Sequence, residues 1–180
     1  MTSSSIARHP GAAAPRSTAP ISGEPRDGTH DFDFLEGRWR VHHRRLRHPL
    51  SGSSDWDEFD GSAVERTLWD GRANLEEVEA EMPTGRLRAL ALRLYDPASR
   101  QWSIHWSTSA AGTLDTPMIG EFRDGRGLFV CQERYDGRAI LQRFIWTSSG
   151  PDACRWEQAY SADCGASWET NWIMEFTRDG

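Results

Sequence analysis

From Arg38 to the C-terminus, apolar and polar residues alternate with a period of two, and short clusters of turn-forming residues break the alternation at close intervals. Amphipathic helices need apolar positions every three to four residues, so this pattern leaves no room for long helices and predicts paired antiparallel strands. Asp70-Gly71, Asp124-Gly125 and Asp136-Gly137 each stand between two strand-like runs. Asp followed by Gly tolerates the positive φ angles of a type I′ hairpin turn. Tyr95-Asp96-Pro97 and Ser149-Gly150-Pro151 mark two further turns. The expected strands lie near 38–48, 55–60, 63–69, 73–82, 86–95, 101–108, 117–123, 127–135, 138–147, 154–161 and 168–177. Consecutive strands joined by short turns leave an exposed sheet edge unless the sheet closes on itself. The fold class expected is therefore all-β, a single closed antiparallel β-barrel of about ten strands, with a two-sheet sandwich as the alternative. A barrel of this strand number encloses space rather than filling itself with side chains.

The 180 residues suffice for one domain. Residues 1–29 are rich in Ser, Ala, Pro and Gly and offer almost nothing to bury, so a disordered tail is expected before a barrel domain over 30–180. The segment Asp31 to Gly37 carries Phe32, Phe34 and Leu35 and an Asp able to cap a short helical turn, and is expected to plug one end of the barrel. Nine Trp, seven Phe and three Tyr predict an aromatic core. The net charge of -6 argues against a nucleic-acid partner, since a polyanion rewards a net positive face. Arg38, Arg40, Arg44, Arg45 and Arg47 lie within cross-strand reach of Asp55, Asp57, Glu58 and Asp60 and of Glu76, Glu77, Glu79 and Glu81, which predicts a solvated, mutually compensating surface. No stretch approaches a membrane span, and the N-terminus lacks the apolar core of a secretion signal, so a cytoplasmic location without membrane contact is expected. Cys131, Cys154 and Cys164 are expected to be free thiols.

Gly37-Arg38-Trp39, opening the first strand after an apolar entry segment, resembles the lipocalin-like (calycin) barrels, whose Gly-x-Trp closes the barrel floor. The runs Phe32 to Val41, Leu92 to Trp106 and Trp156 to Phe176 look like an uncharacterised bacterial family of such lipocalin-like barrels, over residues 31–178. That resemblance implies a barrel with a small-molecule cavity and brings no catalytic residues with it. Ser161 to Trp168 resembles the Asp-box, Ser-x-Asp-x-Gly-x-Ser/Thr-Trp, whose side chains satisfy turn amides; its role is expected to be structural.

If Trp39 points inward, alternation puts Val41, His43 and Arg45 on the cavity side. Trp102 and Trp106 share a face with Ile104; Trp168, Trp172, Met174 and Phe176 share one with Thr170; Gln158 and Tyr160 alternate with Glu157 and Ala159. Core packing explains such rings as well as a pocket does. The candidate ligand-binding residues are His43, Arg45, Trp102, Trp106, Gln158, Tyr160 and Trp172. No metal site and no cofactor are expected; the alternative is a haem iron on His43, and only His105 is placed to join it as a second ligand. There is no Ser-His-Asp order, no Gly-rich phosphate loop and no isolated carboxylate pair. The function expected is binding of a small, largely apolar or aromatic molecule. The alternative is a cofactor-free cyclase, isomerase or dehydratase of secondary metabolism in which His43 moves a proton and Arg45 stabilises charge. A filled, purely structural barrel is a third reading, and a homodimer stays open.

Overall fold

The alternation produces ten strands, here seen in a computed structural model that describes residues 27–180. They are β1 (Gly37–Leu46), β2 (Trp56–Leu68), β3 (Ala73–Met82), β4 (Gly85–Asp96), β5 (Gln101–Thr108), β6 (Met118–Arg123), β7 (Arg126–Tyr135), β8 (Arg138–Ser148), β9 (Ala153–Ser161) and β10 (Glu169–Arg178). Each pairs antiparallel with its neighbour in the chain, and β1 closes against β10, so the sheet is a barrel and not a sandwich. The hairpin turns have the predicted geometry: φ is 51° and 75° at Asp124 and Gly125, and 48° and 77° at Asp136 and Gly137. Among the described residues no helix is long and apolar enough to cross a membrane.

The segments expected at 55–60 and 63–69 are one strand, β2. Gly61 stands mid-strand as a point of close approach: a Cβ there would lie 2.5 Å from the Glu79 carbonyl oxygen and 2.7 Å from the Ala80 Cβ. A second correction concerns β10. A bulge between Thr170 and Trp172 shifts the register, so Asn171 and Trp172 are both buried. Trp168, expected on the face of Trp172, instead packs under the Arg143 guanidinium, 4.3 Å from its ring.

The apolar entry segment folds as a single 3-10 turn, Asp33–Leu35. Asp33 does not cap it; its carboxylate pairs with His30 Nδ1 at 2.8 Å. The segment does plug the barrel. Phe32, 1% exposed, meets Trp102, Phe122 and Trp146 edge-on at 5.0, 4.9 and 6.1 Å. Trp39 Nε1 donates to the Leu35 carbonyl (2.6 Å), and Arg178 covers the Trp39 ring at 4.2 Å while donating to the Glu36 carbonyl (2.8 Å). The expected tail lies outside the described residues up to 26. At its end, the Gly28 amide donates to Tyr95 Oη and the Gly28 carbonyl accepts from Trp102 Nε1, both at 3.0 Å.

Arg44–Glu58 and Arg47–Asp57 pair as expected, and His42 adds a pair with Asp60 that was not expected. Such exposed pairs contribute little. The second acidic run behaves differently: Glu77 pairs with Arg66, Glu79 with Arg86 and Arg88, and Glu76 is not on the surface at all.

The Asp-box turn has the expected hydrogen bonds. The Gly165 amide donates to Ser161 Oγ (2.8 Å), and Asp163 accepts from the Ser167 amide (2.9 Å) and hydroxyl (2.6 Å), which holds its carboxyl down near about 2. Gly165 sits at φ 91°, and a Cβ there would meet Leu141 and Trp168 at ordinary contact distances of 3.6 and 3.7 Å, so Gly165→Val tests backbone strain first. A β-branched residue at that angle is expected to cost about 1–2 kcal/mol, lowering the melting temperature by roughly 2–8 °C. An unchanged melting curve would remove the turn from the list of stabilising features.

Candidate functional site

The barrel interior is unevenly filled. The inward positions of β2 to β4 include four alanines, Ala63, Ala80, Ala89 and Ala91, of which Ala91 lines the unfilled space, where those of β8 to β10 are dominated by rings. The unfilled space is a cavity of about 380 Å³, within the range that takes a single small molecule. Glu76, Arg93 and Trp146 close one end, where β1 begins, with the Phe32 plug packed beneath Arg93 and Trp146. Arg45, Asp115, Glu133 and Arg134 surround the other.

Six aromatic side chains among the described residues line the cavity, and four of them, Trp106, Phe144, Trp156 and Trp172, form one continuous wall. They hold one another edge-to-face, with Trp156 and Trp106 5.6 and 6.2 Å from Trp172 and Phe144 4.8 Å from Trp156. Such contacts fix the wall before any ligand arrives. Arg45 lies over Trp172 at 4.5 Å and adds a cation to the rim.

Behind that ring stands His43. Its Nδ1 accepts a hydrogen bond from Trp172 Nε1 at 3.3 Å, its ring stacks on Phe59 at 4.7 Å, and it is 0% exposed. The proton of the neutral imidazole is therefore on Nε2, which has no partner and faces Gly61. Burial, helped by the neighbouring His42, pulls its pKa down to about 4. His43 is a neutral prop for Trp172 and does not form part of the cavity wall. An imidazole whose folded pKa lies below its unfolded value of 6.5 contributes stability above pH 6.5 that is lost as pH falls toward 4. On that basis the stability advantage of the wild type over His43→Gln is expected to shrink by about 3 kcal/mol between pH 7 and pH 4. Denaturant titrations at both pH values measure it, and a constant difference would contradict the buried neutral imidazole.

The polar side of the wall centres on Gln158. It accepts from Gln142 (2.9 Å) and donates to Tyr160 Oη (3.1 Å) and Asn171 Oδ1 (2.8 Å). Burial pushes the Tyr160 phenol up to about 12, so it stays protonated.

At the closed end is a charged cluster that sequence reasoning did not find. Arg93 donates through Nη1 to Glu65 Oε2 (3.0 Å) and to Asn74 Oδ1 (2.5 Å), and through Nη2 to Glu76. All four side chains are 2% exposed or less, and Arg93 also lies over the rings of Phe32 and Trp146 at 5.0 and 5.1 Å. Burial drives the Glu65 carboxyl well above its ordinary value, against the pull of Arg93. Burial opposes the charge on Arg93 too, but its two carboxylate neighbours hold it raised. The signal was present in the alternation: Glu76 is in phase with the inward Val78 and Ala80, and Arg93 with Ala89 and Ala91.

Of the candidate residues, the structure brings Arg45, Trp106, Gln158, Tyr160 and Trp172 onto one cavity. Trp102 is in the floor beneath the plug, and His43 stands one layer behind the wall. His105 is half-buried on the outer face of β5, bonded to Ser103 Oγ at 3.1 Å, so it does not share a face with His43. Among the described residues no group of three His, Cys, Asp or Glu side chains is placed to hold a metal ion.

No family model matches the chain, and no curated protein matches its sequence. Among solved structures the chain is similar to the S-type phycobiliprotein lyase of Guillardia theta, with 13% identity over 87% of this chain and 99% of that one and a TM-score of 0.56. That likeness is one of fold. A de novo designed fluorescence-activating β-barrel aligns over 83% of this chain and 98% of its own, with 11% identity and a TM-score of 0.46.

Proposed function

We propose that this protein binds one small, largely aromatic molecule inside the barrel. The observation that carries the reading is the cavity itself, about 380 Å³ walled by four mutually braced rings and closed at one end by the buried Glu76, Arg93 and Trp146. A core built only for stability would fill that volume, since each void forfeits packing energy. A planar ligand would lie against Trp106, Trp156 and Trp172, with Arg45 and Tyr160 near its outer end. The phycobiliprotein lyase of similar fold supports the reading through the shared barrel architecture alone. The reading includes membership in the lipocalin-like family that the Gly37-Arg38-Trp39 entry resembles, a location in the cytoplasm and no resident cofactor. Free Cys131, Cys154 and Cys164 agree with a reducing compartment.

Titration with the aromatic, anionic fluorophore anilinonaphthalene sulfonate, followed by dye emission and tryptophan quenching, tests the proposal. Saturable binding of one dye per chain is expected. Ala91→Phe, which puts a ring into the cavity from β4, is expected to abolish that binding while leaving a cooperative melting transition. Dye binding that survives the filled cavity would place the site elsewhere and end the proposal.

A further inference from the structure

Three residues at the closed end of the cavity share a property. Glu76, Arg93 and Trp146 all form part of its wall, and all are 2% exposed or less. Each carries one hydrogen-bonding atom without a partner among the described residues: Glu76 Oε1, Arg93 Nε and Trp146 Nε1. They are neighbours, because Arg93 is bonded to Glu76 and lies over the Trp146 ring. Buried polar atoms are nearly always bonded, and an ion cluster in an apolar interior is commonly no more stable than a well-packed apolar replacement. Stability alone does not explain this cluster at the end of a ligand-sized cavity.

The unsatisfied set has a definite chemistry: two N–H donors and one carboxylate oxygen. The donors ask for a ligand oxygen, and the carboxylate asks for a ligand N–H or O–H. An anionic ligand group would satisfy the donors but stand beside Glu65 and Glu76 with only one guanidinium between them. A cationic group would satisfy Glu76 but face Arg93. A neutral group holding acceptor and donor side by side meets all three atoms and adds no charge to a low-dielectric site. Gln158 does not compete for it, being already bonded to Gln142, Tyr160 and Asn171.

Resting on the binding function proposed above, we infer that the closed end of the cavity recognises a carboxamide or lactam edge, a C=O beside an N–H, carried on an aromatic ring system. The ring portion lies along the tryptophan wall and the amide edge meets Glu76, Arg93 and Trp146.

Four matched probes test this by calorimetry: 2-naphthamide, 2-naphthoate, 2-naphthylmethylammonium and 2-methylnaphthalene. The amide is expected to bind about tenfold or more tightly than each of the others, the gain of two or more satisfied hydrogen bonds. Trp146→Phe keeps an aromatic ring and removes the N–H; it is expected to weaken the amide by roughly three- to tenfold more than it weakens methylnaphthalene. Tightest binding by the carboxylate or the ammonium, or equal affinity for all four, overturns the inference, as does an amide preference that survives Trp146→Phe. If that variant does not fold, the four-probe comparison on the wild type decides alone. Binding of none of the four, methylnaphthalene included, overturns the binding function itself, an outcome distinct from a lost amide preference.

Discussion

Replacing Arg93 with leucine is expected to destabilise the barrel by about 3–5 kcal/mol near neutral pH, because it strands two buried carboxyl groups without their only cation. Arg93 is bonded to both Glu65 and Glu76, and all three are 2% exposed or less. The sign of the pH dependence follows from Glu65. Its folded pKa is raised above the unfolded value of 4.5, so the stability it contributes is complete below that value and is lost as pH rises through the folded one. Removing Arg93 takes away the attraction that opposes this rise. The deficit of Arg93→Leu should therefore be largest at high pH and shrink as pH falls and the Glu65 carboxyl takes up its proton. Urea denaturation at a series of pH values measures it. The triple replacement Glu65→Leu, Glu76→Leu, Arg93→Met is expected to recover wild-type stability or exceed it, since an apolar core needs no desolvation of charge. A pH-independent deficit in the single variant would show that lost packing, not stranded charge, is the cause. A triple variant as unstable as the single one would carry the same message.

Phe32→Ala is expected to cost about 3–5 kcal/mol, a fall of roughly 6–20 °C in melting temperature, with a much smaller loss for Phe32→Leu. The ring touches Trp102, Phe122, Phe129 and Trp146 and lies under Arg93, so its removal leaves a void bounded by β5, β6, β7 and β8 at once. It also takes the floor from beneath the charged cluster. The expected functional result is a closed end whose Arg93 and Trp146 have lost their support, with weaker dye binding than the melting temperature alone would explain. A cost below about 1 kcal/mol would mean that the segment covers the barrel end without supporting it.

Both effects rest on residues whose visibility in the sequence differs. Phe32 was readable because three large apolar residues in four positions, directly before Gly37-Arg38-Trp39, have no alternative but to be buried. Arg93, Glu76 and Glu65 sit in phase with their inward neighbours, yet a surrounding run of acidic residues reads as surface, and hydropathy outweighed phase. What makes them tolerable inside is the register that sets Glu65 opposite Glu76 and Asn74 opposite Arg93. No single strand contains that information. His43 was correctly assigned to the interior by alternation, but alternation carries no depth. Whether the imidazole touches the cavity or stands behind Trp172 depends on the partner strands β10 and β2. Trp168 shows the same limit at the level of facing, because one extra residue at the β10 bulge reverses every assignment before it.

The sequence by itself left the choice between barrel and sandwich to the β1–β10 pairing; it determined the antiparallel strand pattern, the positive-φ hairpins, the plug and the aromatic interior. These follow from local rules: a side-chain period of two, the φ freedom of Asp-Gly turns and the need to bury large rings. The tertiary structure alone decided which inward residues meet, that an unfilled space remains beside Ala91, and that its closed end is a charged cluster. Those outcomes depend on cross-strand register and on the bulge, which bring together residues far apart in the chain, and no local period encodes a distance between strands.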